Sequence, residues 1–382
     1  MSVPARLALV GPVRPYRGGI AQYNTELRRA LAPRCDLHAI SFRRQYPAWL
    51  YPGKSDREPG PGELAEPQVQ YTLDALNPFT CVSAARAIAA RGCDLAVIHY
   101  WTLFWAPGFA LMARMLRKRG VPVAFVCHNL ADHDSGLIKR AVSWRLLSQA
   151  DAYLVQSNAH AGALQRNFPG KPVTVHPHPT HVRFPEVTQP LPRRGRLELL
   201  FFGFIRPYKG LDTLIAALAR LNDADVYLTV VGEPWCPAEQ LRAEVQASGA
   251  PNVELHLDYV DDAAAARFFT RADVVVLPYR ADTSSAVAAV AYHYDKPILA
   301  TRVDGLSDVV EDGRTGFLVE RESPEQLAAC LRGLTRDRLG GMHEAVRSFK
   351  TRFTWDSLAG ALLGLAQQLQ AGARSDSKRG VA

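Results

Sequence analysis

The sequence lacks any long run of uncharged apolar residues. Within its 382 residues, no stretch approaches the roughly 20 apolar positions that a membrane-spanning helix needs. Residues 1–6 lead straight into a strand-like segment and show no signal-peptide pattern. Both absences argue against a membrane-spanning or secreted protein, and we expect a cytoplasmic location.

The sequence also has few cysteines, and none of them belongs to a C-x-x-C pair. Neither a disulfide framework nor a structural zinc site is therefore predicted, and we expect buried free thiols in a reducing cytosol. The six cysteines are Cys35, Cys81, Cys93, Cys127, Cys236 and Cys330.

Charge is distributed unevenly along the chain. Residues 1–185 carry 22 Lys and Arg against 11 Asp and Glu, a net +11, whereas residues 186–382 carry 23 against 26, a net −3. The first half is therefore expected to face something anionic, such as an acidic membrane surface or a phosphorylated acceptor. Nucleic acid is not predicted as a partner, because no helix-turn-helix or zinc signature accompanies the basic residues.

Short apolar runs alternate with helix-like segments throughout the first half. This alternation predicts a parallel sheet with helices on both faces. The helical spacing covers Ile20–Leu31, and the apolar runs are Leu7–Val10, Leu95–His99, Val121–Cys127 and Ala152–Val155.

The pattern stops in a Pro/His/Arg-rich stretch at residues 177–196 and then restarts. The restarted series has a helix at Leu211–Leu221 and strands at Leu197–Phe202, Val226–Val231, Val253–Leu257, Val274–Leu277 and Pro297–Ala300. We therefore predict an α/β protein of two consecutive Rossmann-like domains that face each other across a cleft. In such sheets, ligands bind at the carboxyl ends of the strands.

The predicted boundaries follow from these changes of pattern. Residues 1–176 form the first domain, 177–196 a linker and 197–350 the second domain. A C-terminal helix is expected over 351–370. The small, polar tail 371–382 is expected to be disordered.

One basic loop follows the predicted strand Leu197–Phe202. The segment F-F-G-F-I-R-P-Y-K-G-L-D, residues 201–212, puts Arg206 and Lys209 at the strand's carboxyl end. Two cations there suit a diphosphate leaving group, which gains negative charge as its bond to the sugar breaks. A solvated loop with ordinary surface cations explains the same residues equally well.

A second segment, L-P-Y-R-A-D-T-S-S-A-V at residues 277–287, leads from a strand into an Ala-rich helix. The free N–H groups and positive dipole end of a helix N-terminus form a phosphate site, and small residues let the backbone approach closely. A plain N-cap by Thr283 or Ser284 is equally compatible with these residues.

Two weaker signals come from the first half. Gly18 and Gly19 lie in a loop between a strand and a helix, but the loop is not G-x-G-x-x-G, so an NAD site is only weakly supported. His128 follows the strand Val121–Cys127, where it can hydrogen-bond a sugar hydroxyl. A flexible turn and a structural histidine remain the alternatives.

Together these segments resemble the retaining glycosyltransferases of family 4, which have the GT-B fold. Residues 203–210 are similar to that family's G-R-x-x-x-x-K-G, and residues 272–279 to its A-D-x-x-x-x-P-S. Residues 304–310 and 313–319 resemble G-G-x-x-E-x-V and G-x-x-G-x-L-V. Gly18-Gly19 looks like the N-terminal glycine pair, and His128 like the cleft histidine.

The resemblance, with the chemistry above, assigns the candidate site residues. The catalytic candidates are His128, Arg206, Lys209 and Asp282. The donor-binding candidates are Gly18, Gly19, Gly203, Arg280, Ser284, Ser285, Ala286 and Val287. The implied donor is a nucleoside-diphosphate sugar, with neither cofactor nor metal, and the implied reaction retains the anomeric configuration as a leaving-phosphate oxygen takes the acceptor proton.

Two departures from the family pattern keep other functions open. Asp282 and Val290 stand where the family commonly has two glutamates, and Phe204 stands at the usual arginine position, two residues before Arg206. A valine side chain cannot accept hydrogen bonds from ribose hydroxyls. A non-catalytic GT-B scaffold that binds a nucleotide sugar or a partner enzyme is one alternative, and a sugar-nucleotide epimerase is another.

Two D-x-D segments, Asp132–Asp134 and Asp223–Asp225, have the spacing that binds metal-diphosphate in the other major glycosyltransferase fold. We interpret the second as a turn before a strand and predict a metal at neither. His176 and His178 alternate with prolines at the linker, an extended arrangement that suits a hinge better than a metal site.

The acceptor is expected to be a glycan or a lipid-linked or phosphorylated molecule of cell-envelope polysaccharide or glycolipid synthesis. Residues 110–119 and 136–148 predict two basic helical stretches, which solvated amphipathic helices would also explain. The cations are Arg114, Arg117, Lys118, Arg119, Lys139, Arg140 and Arg145, with Trp101, Phe104 and Trp105 just upstream. Cations beside aromatics can seat residues 110–148 on an anionic membrane, so the enzyme is expected to be peripheral there.

Overall fold

The computed structural model describes residues 4–47, 49, 56–57, 65–130, 137–180, 187–281 and 285–379. The chain divides into two compact units. The first unit comprises Met1–His176 and Trp355–Ala382, and the second comprises Pro177–Thr354. Each unit contains a parallel β-sheet with helices, in agreement with the predicted α/β class.

The described part of the first unit holds a seven-stranded sheet. Its strands are β1 (Arg6–Val10), β2 (Asp36–Arg44), β3 (Val69–Asp74), β4 (Leu95–Tyr100), β5 (Val123–Cys127), β6 (Ala152–Val155) and β7 (Val173–Val175). They pair in parallel in the order β3-β2-β1-β4-β5-β6-β7. The helices are α1 (Gly19–Leu31), α2 (Phe79–Ala90), α3 (Ala106–Arg117), α4 (Leu137–Leu147) and α5 (Asn158–Asn167).

The described part of the second unit holds a six-stranded parallel sheet. Its strands are β8 (Leu197–Phe202), β9 (Val226–Val231), β10 (Val253–His256), β11 (Val274–Leu277), β12 (Ile298–Thr301) and β13 (Gly316–Val319), in the order β10-β9-β8-β11-β12-β13. The helices are α6 (Leu211–Leu221), α7 (Ala238–Ser248), α8 (Asp262–Arg271), α9 (Ala286–His293), α10 (Asp304–Ser307), α11 (Pro324–Arg332), α12 (Arg336–Gly340) and α13 (His343–Lys350).

The start of the second unit has the element bounds that the sequence predicts. Strand β8 is buried along almost its whole length. Helix α6 begins after Gly210 and ends before Asn222, both in the left-handed conformation that stops regular helix geometry. Residues 177–196, predicted as a linker, are counted in this unit, where the Thr180 N–H donates to the Phe353 carbonyl at 2.8 Å.

The last helix, α14 (Trp355–Arg379), corrects one prediction. Residues 371–379, expected to be disordered, continue this helix. The reason is that α14 starts on a buried face, with Trp355, Leu358 and Leu362 in the core beside β1 and α1. Once a helix is nucleated by such an anchored start, each further residue adds a backbone hydrogen bond, so the helix continues into its polar end. In the described ranges, no helix is both long and apolar enough to cross a bilayer.

Candidate functional site

The loop after β8 is shaped by two glycines. Gly203 has a φ of 93°, and a 3₁₀ turn at Pro207–Lys209 leads to Gly210, with a φ of 67°. A Cβ atom on Gly210 would lie 2.0 Å from the Pro278 carbonyl oxygen. The loop therefore packs directly against the segment that follows β11. These are the two segments that the sequence analysis singled out as phosphate-binding candidates.

Arg280 fastens these two segments together. Its backbone N–H donates to the Tyr208 carbonyl at 2.7 Å, and its guanidinium donates to the Pro207 carbonyl at 3.2 Å. The same guanidinium pairs with Asp212 and, at 3.4 Å, with Glu322. Arg280 was predicted as a donor ligand, and the structure shows its side chain engaged in holding the loop.

Lys209 is buried at the carboxyl end of β8, with 8% of its surface exposed. Its ammonium lies 5.7 Å from the Tyr279 ring centroid and 3.1 Å from the Cβ position of Gly203. No hydrogen bond or ion pair to it is found among the described residues. Burial, assisted by the Arg206 charge, lowers the pKa of the Lys209 ammonium to about 8.

The start of α9 lies beside Gly203 and the Lys209 ammonium. The Val287 Cγ2 atom lies 3.6 Å from the Cβ position of Gly203, next to the Lys209 ammonium. Ser285 is the N-cap, but its side chain makes no cap hydrogen bond and instead lies 3.2 Å from the Tyr279 hydroxyl. Ala286 is the first helical residue. The helix therefore brings a positive N-terminal end to the buried lysine.

Several predicted residues of this region cannot be placed. Asp282 and Ser284, together with the alternative cap Thr283, lie outside the described residues. Val290, at the position where the family has a glutamate, is buried in the core of the second unit on α9. Its apolar side chain has no polar group to offer a ribose.

Arg206 has an aromatic partner that the sequence analysis missed. Its guanidinium lies 3.4 Å from the ring centroid of Trp235 and 5.8 Å from that of Phe204. Trp235 follows β9, the sheet neighbour of β8, so the contact joins two adjacent strand ends. Both residues line a cavity of about 510 Å³ beside α6 and α7. The only sequence signal was an aromatic residue just after a predicted strand.

In the first unit, His128 follows β5 and is 8% exposed. Its Nε2 atom lies 2.9 Å from His99 Nδ1, and its Nδ1 atom lies 3.1 Å from the Gln156 amide nitrogen. Complete burial lowers the pKa of His99 to about 3. His99 and Gln156 were not singled out from sequence, although each lies at or just after a strand end in the predicted sheet.

Gly18 and Gly19 open α1. Gly18, the N-cap, has a φ of 99°, a conformation that favours glycine. Among the described residues, no atom beyond its chain neighbours lies within 4 Å of its Cβ position, and no side-chain hydrogen bond caps the helix that begins at Gly19. Within the described part of the chain, the backbone here is therefore open to close approach by another group.

The two D-x-D segments were considered as metal sites, and the structure describes only the second of them. Asp223 pairs with Arg196 at 2.6 Å and accepts a hydrogen bond from the Asp225 N–H at 2.9 Å, the geometry of a turn. His176 lies 2.9 Å from the Ser357 hydroxyl. Asp132–Asp134 falls outside the described residues. Among the residues that the structure describes, no cluster of three potential metal ligands occurs.

The aromatic residues near the basic helices are mostly part of the core, which corrects their expected role. Trp105 is 4% exposed and Trp101 9% exposed, and their indole nitrogens donate to the Gln45 carbonyl and the Tyr46 hydroxyl. Phe104 alone of the three is substantially exposed, at 37%. The two tryptophans pack with Phe42 inside the first unit, so they are not available to a membrane.

Comparison with known proteins identifies the family. Residues 17–184 match the family described as Glycosyltransferase Family 4, and residues 196–337 match the one described as Glycosyl transferases group 1. The chain belongs to the family 4 glycosyltransferases. This glycosyltransferase is therefore an enzyme of sugar transfer.

Two curated relatives show how broad the family is. The D-inositol 3-phosphate glycosyltransferase of Streptomyces scabiei is 30% identical over 300 residues, which cover 70% of this chain and 66% of the relative. A GDP-mannose:glycolipid 4-beta-D-mannosyltransferase of Xanthomonas campestris is 30% identical over 228 residues, which cover 59% of this chain and 62% of the relative. The chain thus spans about two thirds or less of these relatives' lengths.

A solved structure supports the fold. Sucrose-phosphate synthase from Thermosynechococcus elongatus matches with a TM-score of 0.67 and 22% identity, covering 96% of this chain and 100% of that one. Together with the two parallel sheets, this similarity shows the two-domain, Rossmann-like GT-B fold that the sequence predicts.

Proposed function

We propose that this glycosyltransferase moves a sugar, with retention of configuration, from a nucleoside-diphosphate sugar to an acceptor hydroxyl. The observation that carries the proposal is Lys209, a nearly buried ammonium with no carboxylate partner among the described residues. Burying an unpaired cation is costly unless an anion completes the site. A diphosphate is such an anion.

The donor's diphosphate is assigned to the second unit. Lys209 and Arg206 contribute positive charge, Gly203 leaves room for close approach, and the N-terminal end of α9 lies beside Gly203 through Val287. These groups stabilise the charge that grows on the leaving phosphate. They supply the positive charge that a metal ion supplies in other transferases, so we propose metal-independent transfer.

The reaction exchanges one bond for another. The acceptor oxygen bonds to the sugar's anomeric carbon on the face from which the diphosphate departs, while the bond from that carbon to the phosphate oxygen breaks. The departing phosphate oxygen takes the acceptor's proton. His128 and the open backbone at Gly18 and Gly19 are assigned to the sugar and the acceptor.

A lipid-linked, phosphorylated or glycan acceptor is proposed, in cell-envelope polysaccharide or glycolipid synthesis. One curated relative is named for an inositol phosphate and another for a glycolipid. Between Leu95 and Ala150 the sequence has seven Lys and Arg and only two acidic residues, Asp132 and Asp134. All seven cations are exposed, so α3 and α4 are proposed to face an anionic membrane on the cytoplasmic side.

The test measures thermal stability with millimolar UDP, GDP, ADP and CMP, each with and without EDTA. A ligand at roughly 100 times its dissociation constant adds about 2.7 kcal/mol to the folded state. One nucleoside diphosphate is expected to raise the melting temperature equally in both conditions. The absence of any shift, or a shift that EDTA abolishes, would contradict the proposed donor site.

The decisive variant is Lys209→Ala, with Lys296→Ala as its matched control. Lys296 is also a partly buried lysine of the second unit, but its ammonium donates to the Thr270 carbonyl at 3.0 Å. Lys209→Ala is expected to lower nucleotide affinity and turnover by about 10²-fold or more. Lys296→Ala should leave both near the wild-type values. Unchanged turnover and affinity in Lys209→Ala would overturn the assignment.

A further inference from the structure

Three neighbouring strands of the first sheet bring three polar side chains into contact. His99 lies in β4, His128 directly follows β5, and Gln156 directly follows β6. The three are 0%, 8% and 2% exposed. Because β4, β5 and β6 are adjacent and parallel, their carboxyl ends meet at one edge of the sheet.

The hydrogen bonds in this trio have a defined direction. The Gln156 amide nitrogen is a donor only, so His128 Nδ1 must accept its hydrogen bond across 3.1 Å. A neutral His128 then carries its proton on Nε2 and donates it to His99 Nδ1 across 2.9 Å. Burial lowers the pKa of His99 to about 3, so His99 stays neutral and keeps the lone pair that accepts.

The ring of His128 is also fixed by packing. The two histidine rings meet edge to edge, with their centroids 5.2 Å apart and 25° between their planes. The ring of Tyr23 stands edge-on to His128, with centroids 5.0 Å apart. Turning the His128 ring by half a revolution would break both hydrogen bonds in a space that is already filled.

We propose that His99 and Gln156 are positioning residues for sugar transfer, which hold His128 in one tautomer and one ring orientation. The inference rests on the proposed function, in which His128 serves the transferred sugar. Both ring nitrogens of His128 are engaged by Gln156 and His99, so the ring keeps one position and one orientation beside the sugar, whereas a ring free to rotate would hold them only part of the time. Such preorganisation lowers the barrier without adding a contact.

The kinetic test uses two variants of His99. His99→Leu has similar bulk but no acceptor, whereas His99→Asn places an amide oxygen near the former Nδ1. His99→Leu and Gln156→Leu are expected to lower kcat by about 10²-fold, and His99→Asn by less than about tenfold. Affinity for the nucleoside diphosphate should stay within about twofold, because it is assigned to the second unit. Wild-type kcat in both leucine variants would overturn the inference.

A second readout is independent of activity. In ¹⁵N-histidine NMR, with His128→Asn used to assign the signal, wild-type His128 should show the Nε2–H tautomer. A proton on Nδ1, or a mixture of tautomers, would overturn the inference even if the leucine variants fail to fold. By contrast, a wild type that binds no nucleoside diphosphate would refute the proposed donor site and leave this tautomer result standing.

Discussion

At the scale of single residues, the apoprotein holds a cation in an unfavourable place. Lys209 is charged at neutral pH, yet it is nearly buried and lacks a carboxylate among the described residues. Its depressed pKa, about 8, reflects that penalty. The penalty is what makes the side chain a strong anion site, because a bound diphosphate relieves it.

Binding should therefore depend on pH. Above pH 8 the free enzyme loses the Lys209 proton, so a diphosphate that needs the ammonium must bind together with a proton. The affinity for the nucleoside diphosphate is expected to fall by up to about tenfold per pH unit above 8. Titration calorimetry between pH 7 and 9.5 measures this. Lys209→Arg, which stays charged, should bind without the fall, and a flat wild-type profile would contradict the prediction.

The same lysine should limit stability. Its folded-state pKa lies below the unfolded value, so the destabilisation is complete below pH 8 and fades as the pH rises towards about 10.4. Lys209→Met is therefore expected to raise the free energy of unfolding of the apoprotein at pH 7 by about 1–2 kcal/mol. Denaturant unfolding of the wild type and the variant at pH 7 and pH 10 checks this prediction. The gain in unfolding free energy should be smaller at pH 10, and a lower unfolding free energy for the variant at pH 7 would refute the prediction.

How much of the site the sequence predicts depends on where each partner comes from. Arg206 and Lys209 were found because they lie in the loop that follows a buried strand. His99, Gln156 and Trp235 were missed, because their partners lie on neighbouring strands far away in sequence. Pairing between strands decides those contacts, and the order of the sheet is not visible in local periodicity.

At the scale of elements, the loop after β8 forms a tight junction with the segment after β11. The junction needs a glycine at position 210, because Gly210 has a positive φ and lies very close to the Pro278 carbonyl. The elements themselves were predicted unevenly. Strands β8 and β9 are apolar except for one polar residue each, Glu198 and Thr229. By contrast, β2 has His38 and Ser41 among its buried residues, and the edge strands β3 and β7 are partly exposed. These three strands depart further from the apolar pattern that predicts a buried strand.

Gly210→Ala should separate steric clash from backbone strain when it is compared with Gly249→Ala. The two glycines have φ values of 67° and 68°, but no atom of the residues that the structure describes, chain neighbours aside, lies within 4 Å of the Gly249 Cβ position. Gly249→Ala is expected to cost about 1 kcal/mol of unfolding free energy from strain alone. Gly210→Ala should cost at least about 2 kcal/mol more, because the backbone must shift. Equal losses in chemical denaturation would show that the junction yields easily.

At the scale of the whole molecule, charge distinguishes the two halves of the chain. The first is strongly basic and the second slightly acidic. With Trp101 and Trp105 buried, the membrane proposal depends on the cations of α3 and α4 and on moderately exposed apolar residues such as Leu111 and Val142, 41% and 44% exposed. Electrostatic attraction is then the main contribution, and it is sensitive to salt.

Liposome co-sedimentation tests this attraction. Replacing Arg114, Lys118 and Arg119 by Gln should weaken binding to vesicles containing phosphatidylserine by about 1 kcal/mol per cation at low salt. The control replaces Arg314, Arg332 and Arg347, which are exposed cations of the second unit, and should bind as the wild type does. Equal binding by the two triple variants, or no binding by the wild type, would refute the membrane proposal.

The return of the chain through α14 has a consequence for biosynthesis. The second unit, Pro177–Thr354, is continuous in sequence, but the core of the first unit includes Trp355 and the residues after it. A ribosome adding about 5–20 residues per second takes roughly 10–35 s to synthesise the stretch between the two parts of the first unit. The part of the first unit that is made first therefore stays incomplete until α14 has been synthesised.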